Sequence, residues 1–325
     1  MDTRFTEEQQ MLKTTARDFL ARECPPIKVR ELEKKEKGYS PEVWKGMADM
    51  GWMGLIVPEE YGGMGMSFQD LTIVLEEMGR SVYLGPYFCT VVECSIPILD
   101  AGSEEQKKEF LPRIARGESI WTLALLEASG RYDASGVAVK AAPKGNSFVI
   151  NGTKLFVEQA INADYMVVVT RTGKGASPEE GITLFIVEAK TPGVHCEVIP
   201  TMGRDRQCEV TFKDVSVPKK NILGKLNQGW AIVEKVLEKG AIAKCAESIG
   251  GMAASTEMTV AYCKDRVQYG KPIGWFQALQ HIMSDMWIAT DVATYLVYEA
   301  AWMESEGLPC AREVAMAKSY VLSLI

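Results

Sequence analysis

The spacing of apolar residues changes twice along this 325-residue chain, and that double change limits what it can fold into. Up to about residue 119, apolar side chains recur every three or four positions, the helical period. From Trp121 to about Leu223 they alternate or cluster between turn residues, as in strands. After Asn227 the helical period returns. No helical pattern separates the strand candidates at 147–157, 165–170, 182–187, 195–199 and 209–212. That excludes alternating βαβ units and predicts a mainly antiparallel sheet. The fold class is α+β, in three segments: a helical domain over 1–119, a β-domain over 120–226 and a second helical domain over 227–325.

Local signals sharpen the outline. Thr6-Glu-Glu-Gln9 and Ser103-Glu-Glu-Gln106 fit capping boxes, in which hydroxyl and amide each satisfy a free backbone N–H. Ser40-Pro41 and Ser67 open further helices, giving at least five before residue 119. Asn151-Gly152 predicts a hairpin turn, because both residues tolerate positive φ. In the last segment one helix follows Asn227, a second runs from about Trp275 to Ser305, and a third begins near Cys310. That third helix ends in the apolar run Val321-Leu-Ser-Leu-Ile325 without a Gly or Pro stop. Long antiparallel helices close as four-helix bundles, so three leave an apolar groove and the bundle reads as incomplete. Two explanations stand: a fourth helix lies outside this chain, or a partner subunit fills the groove.

Composition narrows the function classes. Net charge is -7 and the sequence pI is about 5.2, with no basic run, which argues against nucleic-acid binding. Eight cysteines are scattered without a CxxC pair and only His195 and His281 accompany them, so no zinc or iron–sulfur site is expected. Scattered thiols suit a reducing compartment. The N-terminus lacks an apolar signal core, and no run reaches the roughly 18 to 20 apolar residues of a membrane span. The expected location is cytoplasmic.

The chemistry concentrates in Arg266-Val-Gln-Tyr-Gly-Lys-Pro-Ile-Gly-Trp-Phe-Gln277, which joins two helices. A fixed cation, aromatics, a turn and two amides within twelve residues suit a planar, phosphate-bearing ligand. Arg266 keeps its charge at any working pH and its fork matches phosphate oxygens. The plainer reading is an interfacial Arg paired with an acid, with Tyr269 and Phe276 as core residues.

This segment, together with Pro58-Glu-Glu-Tyr-Gly-Gly-Met-Gly, Leu75-Glu-Glu-Met-Gly, Gly102-Ser-Glu-Glu-Gln-Lys, Asn151-Gly-Thr-Lys, Phe212-Lys-Asp-Val-Ser-Val-Pro and Ala315-Met-Ala-Lys, resembles the acyl-CoA dehydrogenase family. The motifs follow in order along essentially the whole chain. The resemblance implies a flavoprotein that takes an α-proton and a β-hydride from an acyl-CoA and passes electrons to an electron-transfer flavoprotein. It also implies FAD partly gripped by a neighbouring subunit of a homo- or hetero-oligomer, a dimer or tetramer.

Carried over residue by residue, the resemblance places Arg266, Gln268, Tyr269, Ile273, Phe276 and Gln277 at the cofactor. Leu125 and Leu126 form a second cofactor segment, with Tyr132 on the substrate side. Phe156, Val157 and Glu158 form a third. Departures are concentrated there: Leu126 stands for a Thr, Ala128 for a Pro, Tyr132 near an expected Ser, and Glu158 for a Thr or Ser, while Glu127 is retained. A carboxylate at 158 either reaches the flavin or turns to solvent. The resemblance implies a base on a loop beyond residue 325 in most relatives, or one supplied by a partner; in a minority it lies early in the long helix, a position that falls on Gly240 here. Glu247, two helical turns away on the same face, is the in-chain candidate, with a helix-face pairing to Lys244 as its plainer reading. Two functional readings result: an FAD-dependent dehydrogenase subunit, or a structural or regulatory subunit of a hetero-oligomer that keeps the fold without catalysis. Related flavin monooxygenases and nitroalkane oxidases are a weaker third.

Overall fold

The computed structural model describes residues 4–324. Six α-helices come first: α1 (Glu7–Glu23), α2 (Pro26–Leu32), α3 (Pro41–Asp49), α4 (Phe68–Arg80), α5 (Ile96–Ala101) and α6 (Glu104–Ala115). A π-helical stretch, Phe88–Ser95, runs directly into α5. Eight strands follow: β1 (Trp121–Ala124), β2 (Lys140–Lys144), β3 (Ser147–Glu158), β4 (Tyr165–Arg171), β5 (Ile182–Glu188), β6 (Val194–Ile199), β7 (Gln207–Pro218) and β8 (Ile222–Leu223). The chain continues through α7 (Trp230–Asp265), the short strands β9 (Val267–Gln268) and β10 (Lys271–Pro272), α8 (Gln277–Ser305) and α9 (Ala311–Leu322). No helix among the described residues is long and apolar enough to cross a membrane.

The helix starts follow from their caps. Thr6, Ser67 and Ser103 each accept from the amide three residues on, and Gln9, Asp70 and Gln106 return the bond to the cap N–H. Ser40 caps α3 with Pro41 at its first position.

The chain forms two compact units. One comprises residues 30–65 and 84–237 and contains an eight-stranded sheet in the order β6-β7-β3-β2-β4-β5-β8, with β1 parallel to β4. All other pairings are antiparallel except a single parallel contact between β2 and β4. Side-chain alternation divides β4 and β5 between two cores. Val167, Val169, Leu184 and Ile186 pack with Phe110, Ile114, Trp230 and Val233 from helices. Met166, Val168, Phe185 and Val187 pack with Phe148, Ile150, Val210 and Phe212 from β3 and β7. Both faces of these strands are covered, which explains their unbroken apolar sequence.

Asn151-Gly152 does not turn the chain. β3 runs straight through it as one twelve-residue strand. Gly152 sits at φ +137 beside a register shift against β7, and the Asn151 side chain exchanges hydrogen bonds with Asp214 at 3.1 and 2.8 Å. The residue pair serves a β-bulge rather than a hairpin. The hairpin lies six residues earlier, where Gly145 at φ +62 opens a two-residue turn between β2 and β3.

The other unit comprises residues 1–29, 66–83 and 238–325. Here α4 carries a row of buried carboxylates. Lys13 of α1 meets Glu76 at 2.8 Å, Arg17 binds Glu77 through two N–H groups at 3.0 and 2.8 Å, and the Tyr298 hydroxyl of α8 donates to Glu76. Between α7 and α8 lies an open groove of about 650 Å³, lined in part by Met252, Met286, Ala289 and Leu324. Ser248, Ser255, Thr256, Asp285 and Thr290 line it as well, so the groove is of mixed polarity.

Helices α4 and α7 cross at backbone contact. A Cβ on Gly79 would lie 1.8 Å from the Glu247 carbonyl oxygen, and one on Gly250 would lie 1.8 Å from that of Glu76. A Cβ on the adjacent Gly251 meets its nearest atom only at 3.9 Å. Gly250→Ala should therefore destabilise the protein by about 2–3 kcal/mol or more through overpacking. Gly251→Ala should be neutral or stabilising by about 0.5–1 kcal/mol through helix propensity. Thermal unfolding of the two variants side by side checks this contrast.

Candidate functional site

The first group of site residues gathers where β1 ends beside β3. After Ala124 the chain leaves the sheet through Leu125, Leu126 and Glu127 into an exposed turn in which the Gly130 amide donates to the Glu127 carbonyl at 2.9 Å. This exit is fastened from three directions. The Leu155 amide donates to the Leu126 carbonyl at 2.9 Å. The Lys154 ammonium donates to the Leu125 carbonyl at 2.8 Å and to Glu127 Oε1 at 2.7 Å. The Glu127 carboxylate also accepts from the Ala138 and Val139 amides at 2.9–3.2 Å.

The Lys154 side chain is fully buried (0% exposed), and burial pulls its pKa down from 10.5 to about 8, with Glu127 opposing the shift. Lys154 and the role of Glu127 were missed from sequence because lysine is ordinarily exposed. The available signal was its position in step with the inward residues Phe148 and Ile150 of the same strand.

Beyond Lys154 the strand bulges. Lys154 faces Val210 but Val157 already faces Cys208, so β3 carries an extra residue there. Phe156 takes the left-handed conformation, φ +54, and points outward with half of its surface exposed. A bulky residue in that region carries strain on the order of 1–3 kcal/mol, a cost typical of functional sites. Val157 is buried and Glu158 is half-buried, its carbonyl accepting from the Thr122 hydroxyl. Leu126 is half-buried in the same unit. The Leu126 and Ala128 amides have no acceptor among the described residues. An outward aromatic, a half-open leucine and free amides make a donor set that fits a flat heteroaromatic ring bearing carbonyls; no side-chain hydroxyl is present at 126 or 128. Tyr132 lies on the exposed turn between Arg131 and Asp133, which pair at 3.0 Å, and is 61% exposed.

The second group lies in the other unit, on the hairpin after α7. Val267 pairs with Pro272 and Gln268 with Lys271, while Tyr269 (φ +53) and Gly270 (φ +78) supply the two left-handed turn positions. The Ile273 amide returns to the Arg266 carbonyl at 2.8 Å. Tyr269 meets Phe276 edge-on at 6.1 Å, and the Lys271 ammonium sits over the Phe276 ring at 4.8 Å. One small hairpin thus brings together Arg266, Gln268, Tyr269, Ile273, Phe276 and Gln277. The Arg266 guanidinium is exposed and has no ion pair among the described residues, as a group awaiting an anionic partner would be. Tyr269 is 92% exposed.

Glu247 stands apart from both groups in its bonding. Its carboxylate pairs with Lys244 at 3.0 Å, and its carbonyl packs against Gly79. Gly240 offers no side chain. His281 is exposed on α8.

Three family models match in order: "Acyl-CoA dehydrogenase, N-terminal domain" over residues 6–118, the middle domain over 122–215 and the C-terminal domain over 227–324. An acyl-CoA dehydrogenase of Bacillus subtilis is 32% identical over 326 residues, covering 97% of this chain and 84% of its own length. The butyryl-CoA dehydrogenase structure from Megasphaera elsdenii superposes with a TM-score of 0.91 at 30% identity, over all of this chain and 86% of that one. A chain from a structure described as "Electron transferring flavoprotein of Acidaminococcus fermentans" superposes at 0.92 with 34% identity, with 100% and 86% covered.

Because the folded Lys154 pKa lies below its unfolded value, the unfolded state binds more protons between pH 8 and 10.5. The group's contribution to stability therefore rises with pH across that window and is lost again as pH falls through 8, a swing of about 3 kcal/mol. Urea unfolding at pH 8 and pH 10 should show wild type gaining stability relative to Lys154→Met. Parallel pH dependence in the two proteins would contradict the assignment.

Proposed function

Because this chain belongs to the acyl-CoA dehydrogenase family, whose members are FAD-dependent oxidoreductases, we propose that it converts an acyl-CoA to the 2,3-enoyl-CoA and passes the electrons to an electron-transfer flavoprotein. The single observation that carries the reading is Phe156, turned outward by a bulge beside the free amides of the 125–128 segment. Bound FAD supplies the hydride acceptor. Phe156 and Leu126 would cover a ring face and exclude water from it. The Leu126 and Ala128 amides would orient the ring carbonyls. Arg266 would neutralise the diphosphate, with Gln268, Tyr269, Ile273, Phe276 and Gln277 shaping the surface around it. Leu125 and Val157 would anchor this face from beneath, with Glu158 at its edge and Tyr132 toward the substrate.

Arg266, exposed and without an ion pair among the described residues, supports its service to the cofactor of a neighbouring copy or homologue, and hence a dimer or tetramer. The electron-transfer partner is supported by the Acidaminococcus fermentans likeness. The segments 1–119, 120–226 and 227–325 are read as the three domains, in step with the matched family models.

One observation favours a second reading, a subunit that keeps the fold without catalysis. Glu247, the candidate base within this chain, is engaged with Lys244, and Gly240, where the family resemblance would place a base in some relatives, has no side chain. Anaerobic addition of acyl-CoAs to the purified flavoprotein decides between them. Bleaching of the oxidised-flavin band is the expected result, and an unchanged spectrum across short, branched and aromatic acyl chains would favour the second reading. In the same assay Glu247→Gln should retain turnover within about twofold, as a helix-face ion-pair residue would. A loss of about 100-fold or more would make Glu247 the base.

A further inference from the structure

The Lys154–Glu127 pair does more than close a gap in the core. Its three connections all end on main chain: Leu125 O, in the segment of the cofactor face, through Lys154, and Ala138 N and Val139 N, in the segment before β2, through Glu127. The next residue on β3, Leu155, binds Leu126 O, and the one after it is the outward Phe156. The lysine thus lies two residues before the aromatic and holds the carbonyl one residue before Leu126. Neither side chain is needed to fill space as an ion pair, since apolar residues of similar size would serve a core as well.

Meanwhile Leu126 and Ala128 carry no polar side chain, so at those two positions only backbone groups can hydrogen-bond. Backbone donors have no side-chain torsions with which to adapt. Their aim is set entirely by what fixes the chain on either side.

We propose that Lys154 and Glu127 are positioning residues for FAD: by locking the main chain of residues 125–127 onto β3 beside Phe156, they set the direction of the amides that meet the flavin ring. This rests on the reading of that face as the flavin site. Glu127 fixes the far side of the segment to residues 138–139, and Lys154 fixes the near side. The two act as one brace, and loss of either loosens Leu126 relative to Phe156.

The test separates positioning from folding. FAD affinity of the apo-protein, from flavin fluorescence titration, is compared with its thermal unfolding in the absence of FAD for wild type, Lys154→Met, Lys154→Met/Glu127→Gln and Glu127→Asp. Lys154→Met leaves a buried carboxylate short of a partner and should lower both. In the double variant the uncompensated charge is gone, so most of the lost thermal stability should return while the FAD dissociation constant stays at least tenfold above wild type. Glu127→Asp keeps the charge but draws the carboxylate back from the Ala138 and Val139 amides. It should fold, weaken FAD binding at least threefold and shift the visible absorption bands of the bound flavin. An affinity within twofold of wild type in the double variant, or an unshifted spectrum with unchanged affinity in Glu127→Asp, would reduce the pair to a folding role and overturn the proposal. Failure of the wild-type chain to bind FAD would overturn the flavin-site reading itself, and the brace with it.

Discussion

An ammonium group with no exposed surface is buried in the β-containing unit, and the shape of the candidate site follows from how it is satisfied. Burying a charge is tolerated only when it is paired and hydrogen-bonded. Lys154 meets that demand by binding one carbonyl and one carboxylate, and the carboxylate in turn consumes two further amides. The partners lie in two segments, 125–127 and 138–139, both apart from β3 itself. The requirement to solvate one cation thereby gathers the end of β1, the segment before β2 and the middle of β3 at one place. Immediately past it β3 bulges and presents Phe156. The strain of that left-handed phenylalanine is sustained because the flanking residues, Lys154 and Val157, are both buried and fixed.

The helical unit obeys a different constraint, close approach of backbone. Gly79 and Gly250 allow α4 and α7 to touch where any side chain would collide with a carbonyl. The residues just before Gly79 are Glu76 and Glu77, each bound to a cation on α1, and Glu76 also to Tyr298 on α8. The sequence Leu75-Glu-Glu-Met-Gly therefore encodes one joint. Its carboxylates tie α4 to α1 by charge and to α8 by a hydrogen bond, and its glycine admits α7. Buried ion pairs of this kind are costly to break from one side, on the order of 3–5 kcal/mol.

Much of this was legible in the chain itself. The capping residues Thr6, Ser40, Ser67 and Ser103 act locally, so the helix starts they predict are the ones found. The strand order was not legible, because pairing of β3 with β7 across some fifty residues leaves no local mark. Asn151-Gly152 misled because the preference for positive φ that makes a turn also serves a bulge; only the bond to Asp214 distinguishes them. The strand Lys140–Lys144 escaped notice since it carries two lysines and a proline and buries little. The residue types of Arg266–Gln277 marked the segment as chemically distinct, and the structure gathers them on one hairpin. The outward turn of Phe156 and the burial of Lys154 were not legible, since both contradict what those residue types ordinarily do.

The two groups of residues share one expectation, a ligand that is aromatic and uncharged at one end and doubly anionic further along. Each end is recognised by chemistry that the other lacks, so the assignment is exposed at two independent places. A crystal structure of the protein grown with FAD tests it most directly. The isoalloxazine should lie against Phe156 and Leu126, with the Leu126 or Ala128 amide donating to a ring carbonyl and an Arg266 guanidinium on the diphosphate. Density for the cofactor elsewhere, or protein side chains filling the surface over Phe156 with no flavin present at saturating FAD, would contradict the account.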